Sequence, residues 1–248
     1  MKMRATSVLS AALLAWSLVL HPAPQAPTVV SNEGVPLCYD PTSGKPVGKS
    51  MVFRGPAYVS PDGRRRAYAE NELRVRGTSG AFDDCTNNSR LFVADAPGEA
   101  FRLVLLQVPS PYRLGNGIKI VDWSPDGRIL LIEAGWFQYG SEAGETVPRR
   151  YYAESGIFSE EDSVPQAFSD LAGKNCAVVI QALGFSADGG LLLKGKPWFD
   201  LGDEKPSNDS CLTKEGLWLL DAKKGALSPL PNDYRVTHYA KVARSAAE

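Results

Sequence analysis

One turn, written three times at a near-constant interval, limits what this chain can fold into. SPDG occupies residues 60–63 and 124–127, and SADG occupies 186–189. Aligned on Asp62, Asp126 and Asp188, the copies stand 64 and 62 residues apart, a period that marks a repeated supersecondary unit. Other positions fall into the same register. Trp136 and Trp198 each follow their aspartate by ten residues, and Cys85 and Cys211 follow Asp62 and Asp188 by twenty-three. RLFVAD, ending at Asp95, matches GLWLLD, ending at Asp221, and each is followed by turn residues and another apolar segment.

The turns themselves read as hairpin connectors. Short runs rich in Val, Ile and Leu flank them, as strands do. Proline fixes φ, Asp bonds a nearby backbone N–H, and Gly63, Gly127 and Gly189 accept positive φ without a Cβ clash. Asp62, Asp126 and Asp188 are therefore assigned to turn structure rather than to acid chemistry or a metal. SADG shows that the proline is dispensable while Asp-Gly remains.

A strand, Ser-Pro-Asp-Gly, an apolar strand, Leu-Trp-x-x-Asp and a fourth strand resemble the TolB-type, WD-like β-propeller repeat. The resemblance covers residues 50–232. It is best in the third repeat (FSADGGLLLKG…GLWLLDAKKGALSPL) and the first (VSPDGRRRAYAE…RLFVADAPGEAFRLV). The second repeat lacks the Leu-Trp-x-x-Asp step, and Tyr151 and Tyr152 are the candidates for its strand. The resemblance implies an all-β fold, a propeller-like array of about three four-stranded antiparallel blades. It identifies a fold better than an activity.

Repeats at 50–110, 111–172 and 173–232 then form one domain spanning 27–248. Propellers have about four to eight blades. Three repeats leave a distorted closed ring, an open arc, or two chains completing a six-bladed ring, and the open or incomplete array is the favoured expectation. Segments 34–40 and 234–243 are candidates for a shared closing blade.

The N-terminus carries Lys2 and Arg4 ahead of an apolar run from Val8 to Leu20, the pattern of a secretory signal peptide within residues 1–26. That run is short for a bilayer span, so no stable membrane span is expected after cleavage, and the protein is expected in the periplasm or secreted. Export favours disulfides. The four cysteines, Cys38, Cys85, Cys176 and Cys211, permit three pairings. Joining Cys38 to Cys85 and Cys176 to Cys211 would staple equivalent units.

Several chemistries lack their residues. A formal net charge of −1 gives no basic surface for nucleic acid. His21 lies in or beside the expected signal, which leaves His238 as the one mature histidine. No nucleophile elbow, phosphate loop, dinucleotide fingerprint or Cys-x-x-Cys occurs, so neither cofactor nor metal is expected. Carboxylate catalysis keeps candidates in the acidic segments 159–163 and 199–204.

The remaining constellation is aromatic. Trp136, Phe137 and Tyr139 follow the second strand of the second repeat, and Trp198 and Phe199 follow that of the third. Such rings either plug the gap between blades or line a surface that binds a sugar or a peptide. The leading expectation is an exported, non-enzymatic module that binds or scaffolds a protein or glycan partner. The alternatives are a carboxylate-dependent glycan hydrolase and a structural propeller fragment without a ligand, and a homodimer is the second route to ring completion.

Overall fold

The computed structural model describes residues 50–75, 85–110, 115–137, 144–160, 162–200, 205–221 and 223–243. The expected signal peptide, Cys38, Tyr139 and the side chain of Cys85 fall outside them.

Each repeat forms an antiparallel sheet whose strands follow one another in chain order. The first sheet contains β1 (Met51–Arg54), β2 (Ala57–Val59), β3 (Arg66–Val75), β4 (Cys85–Ala94) and β5 (Arg102–Gln107). In it β1 and β2 pair end to end along β3, interrupted at Gly55 and Pro56. The second sheet contains β6 (Gly115–Trp123), β7 (Ile129–Phe137), β8 (Gly144–Tyr152) and β9 (Ile157–Phe158). The third contains β10 (Val178–Phe185), β11 (Leu191–Pro197), β12 (Gly216–Leu220) and β13 (Leu227–Leu230). Tyr151 and Tyr152 lie in β8, the third strand of their sheet.

The architecture is thus mostly β, with one departure, the helix α1 (Ser163–Ala172) between the second and third sheets. Val164, Ala167 and Phe168 recur at helical spacing and are buried, and Gly173 in the left-handed region ends the helix.

Apolar side chains hold the sheets face to face. Ala67, Ala69, Leu91 and Val93 of the first sheet pack on Ile118, Leu130, Ile132 and Tyr151 of the second. A second cluster joins Leu131 to Ile180, Phe185, Leu191, Leu193 and the helix residue Phe168. The middle strand β7 is covered on both faces, which explains why Leu130, Leu131 and Ile132 run without polar alternation. Every substantial contact between sheets among the described residues involves the second sheet.

The three turns share one hydrogen-bond design. The hydroxyls of Ser60, Ser124 and Ser186 donate to Asp62, Asp126 and Asp188 (2.5, 2.6 and 2.5 Å). The same hydroxyls accept the N–H of Arg65, Ile129 and Gly190. The Ser60 and Ser186 hydroxyls hold Asp62 and Asp188 below the ordinary carboxylate value. Burial pushes Asp126 upward, but the Ser124 hydroxyl and the Arg128 N–H outweigh it and the net shift is down. Gly63, Gly127 and Gly189 take φ of 74°, 69° and 86°, a region that L side chains rarely adopt.

One difference between the turns changes the strand that comes after. Ser60 and Ser124 donate their N–H to the carbonyl five residues on (Arg65 and Ile129), whereas Ser186 reaches Gly190, four residues on. Since side chains alternate along a strand, one residue fewer exchanges the two faces of the returning strand. Trp123 pairs with Leu130, six residues after Ser124, while Phe185 pairs with Leu191, five after Ser186. Asn116 opposes Trp136 in the second sheet, and at the corresponding place in the third Val178 opposes Pro197. Trp198 shares the ten-residue spacing of Trp136 and not its structural position.

The C-terminal segment ties the sheets together at the turn end. β14 (Lys241–Ala243) pairs antiparallel with β2 at the free edge of the first sheet. Ahead of it, Tyr239 and Ala240 donate their N–H groups to the fully buried Asp122 carboxylate of β6 at 3.0 and 2.7 Å. Segment 234–243 thus supplies one edge strand to the first sheet; segment 34–40, its expected partner in a shared closing blade, lies outside the described residues.

Candidate functional site

At the opposite end of the second sheet from the turns, the packing between the first and second sheets opens into a cleft of about 390 Å³. Its floor continues the face of the second sheet that packs on the first. Ala134 belongs to that core cluster, and beyond it Asn116, Trp136 and Glu145 stand side by side across β6, β7 and β8. Gln107 and Val108, at and just after the end of β5, form one wall. Asp162 and Pro165, at the start of α1, form another.

The Trp136 indole is the largest of these side chains. It is half-buried, and its Nε1–H donates to Glu145 Oε2 at 3.3 Å, a cross-strand bond that fixes the ring on the sheet. Asn116 is held from below by a buried amide cluster. Its N–H donates to Asn87 Oδ1 (2.9 Å) and its Nδ2 to the Asn87 carbonyl (2.7 Å), while its carbonyl accepts from Asn87 Nδ2 and Ser89 Oγ. The single Ser89 hydroxyl proton serves either that carbonyl or Asn71 Oδ1, one acceptor at a time. Three strands of two sheets are thereby locked with their polar groups satisfied, which makes the cleft floor rigid. Gln107 differs: its Oε1 is buried and accepts no hydrogen bond.

The other aromatic candidates are dispersed. Phe137 closes β7 with its ring over Gly115 of β6, where a Cβ would collide with it. Trp198 and Phe199 are 41% and 45% exposed just beyond β11. There the Trp198 N–H donates to Ser210 Oγ (3.0 Å) and the Trp198 carbonyl accepts from the Ser207 N–H (2.9 Å). The disulfide Cys176–Cys211 ties this segment to the start of β10. Neither Trp198 nor Phe199 lines the cleft. The structure brings Trp136 together with Gln107, Asn116, Glu145 and Asp162, none of which the repeat register singles out. One signal for α1 is legible in the sequence: Val164, Ala167, Phe168 and Leu171, followed by Gly173.

The buried carboxylates outside the cleft have structural partners. Glu70 bonds Arg54 and Arg90. Glu133 accepts from Lys119 (2.9 Å) and from the Ala182 N–H of the third sheet (2.7 Å). Asp122 receives the C-terminal backbone. Among the described residues, no group of three or more His, Cys, Asp or Glu is placed to hold a metal ion, and no helix is long and apolar enough to cross a membrane.

The sequence matches no protein-family model and no curated protein.

Proposed function

We propose that this protein is an exported, non-enzymatic binding module, an open array of three TolB-like propeller blades whose partner seats in the cleft at Trp136. The observation that carries this reading is the cleft itself: an indole fixed by Glu145 over a rigid amide floor, open between two sheets. Pockets that are pre-formed, partly apolar and furnished with a few fixed polar groups are where ligands bind. Export is supported by the N-terminal charged and apolar pattern and by the Cys176–Cys211 disulfide, since such bonds persist in oxidising compartments.

The commitment of Glu70, Asp122 and Glu133 to structural partners favours binding over catalysis. A glycan hydrolase remains the second reading because Glu145 and Asp162 line the same cleft. Release of reducing ends from oligosaccharides, abolished in Glu145→Gln, would establish it.

The binding reading is tested by placing a photo-crosslinking phenylalanine analogue at Val147 in the exporting cell. Adducts are expected there and not from the same analogue at Val52, which is exposed on the far side of the first sheet. Equal labelling at both positions, or none at Val147, overturns the reading.

A further inference from the structure

We infer that the ligand of the cleft is a neutral oligosaccharide, with one sugar ring stacked on the Trp136 indole. This inference rests on the binding function proposed for the cleft and names its ligand class.

Charge is the first argument. The described residues that line the cleft include the carboxylates of Glu145 and Asp162 and the amides of Gln107 and Asn116, but no Lys, Arg or His. A phosphate, sulfate or uronic acid would meet carboxylates with no counter-charge among the described lining residues. A hydroxyl-rich neutral ligand donates to the same carboxylates through charge-assisted hydrogen bonds.

Shape is the second. The lining alternates a flat aromatic ring and apolar groups (Val108, Val147, Pro165) with polar groups set around them. A pyranose has the same division, with C–H groups on its faces and hydroxyls on its rim. The volume of about 390 Å³ lies near the lower end of the range for small-molecule sites, on the scale of one or two rings. A peptide bound as an added strand, by contrast, needs a strand edge that supplies a ladder. The row Asn116–Trp136–Glu145 runs across three already paired strands and offers no such ladder.

The third argument is an unmet hydrogen bond. Gln107 Oε1 is buried in the wall of the cleft without a donor. Buried polar atoms are nearly always satisfied, and this one is shut off from solvent, so a ligand hydroxyl would pair with it by drawing the Gln107 amide round into the cleft. Glu145 accepts the indole N–H through Oε2, and among the described residues its Oε1 accepts no hydrogen bond, so a bound sugar would be held on two sides of the ring that it stacks upon.

Titration calorimetry of the full mature chain tests the inference. The probes are chitotetraose, cellotetraose and maltotetraose, with tetragalacturonate and an oligolysine peptide for contrast. At least one neutral oligosaccharide is expected to bind. Its affinity should fall about tenfold or more in Trp136→Ala and about fivefold in Gln107→Leu, with thermal unfolding retained. Trp198→Ala should leave it unchanged. Preference for tetragalacturonate, or neutral-sugar binding indifferent to Trp136→Ala, overturns the inference. If oligolysine alone binds, and needs Trp136, the glycan assignment falls and the binding module stands. If no probe binds and Val147 also yields no adduct, both fall.

Discussion

Trp136 and Trp198 occupy the same place in the repeat and different places in the molecule. Trp136 lies on β7, on the face that packs against the first sheet, and lines a cleft. Trp198 lies past the end of β11, exposed, on the segment tied down by Cys176–Cys211. The cause is the third turn, which returns after four residues instead of five and so exchanges the faces of the strand after it. Equal spacing in sequence guarantees equal structure only when the turn between the compared positions has equal length. The two sheets also differ in what holds them. The second is covered on both faces by neighbours, whereas among the described residues the third has one sheet neighbour, a helix and a covalent tie.

The largest expected effect comes from that second difference. Replacing Cys176 and Cys211 by Ser should cost about 4 kcal/mol, the chain-entropy value for a loop of this length, and lower the melting temperature by roughly 10 °C. Calorimetry of the double variant checks it; an unchanged midpoint would show that packing alone secures the third sheet. Next is Asp122→Ala, which removes the acceptor of the Tyr239 and Ala240 N–H groups and should cost about 3 kcal/mol in urea unfolding. Fast hydrogen exchange at those two amides is the accompanying signature, and unchanged protection would contradict the tie.

Smaller effects separate the two tryptophans. Trp136→Ala should cost about 1 kcal/mol, because the ring is only half-buried, while Trp198→Ala should change stability by less than about 0.5 kcal/mol. Equal costs would erase the distinction between the two rings. The smallest effect concerns the turn. Inserting one residue between Gly189 and Gly190 lengthens the third return to that of the other two and leaves the β10–β11 register intact. Unfolding midpoints should then agree within about 1 kcal/mol, since loop-closure cost rises slowly with length. A loss above 3 kcal/mol would mean that the short turn is itself required.

Much of the architecture is legible in the residues. Serine, aspartate and glycine at each turn dictate the hairpins, and the apolar runs of β7 and β11 announce strands covered on both faces. Less of the site is legible. Trp136 stands out because aromatic rings are rare and recur in register, and Asp162 belongs to the acidic segment 159–163, but Gln107, Asn116 and Glu145 are ordinary polar residues until tertiary packing aligns them. Helix α1 has its apolar spacing in the sequence, yet it falls where the repeat pattern leads one to expect strands.

By itself the sequence determined the local conformations. Backbone dihedrals, turn hydrogen bonds and hydrophobic periodicity depend on residues close along the chain, so three hairpin-rich units result from composition and spacing. The tertiary structure alone decided which faces meet. Turn length decides which residues, counted from the aspartate, lie on a given face, and an amide cluster joining β3, β4 and β6 forms only when the first two sheets dock. The cleft exists for the same reason: it is the margin where that docking ends, and its residues come from segments that share no local signal.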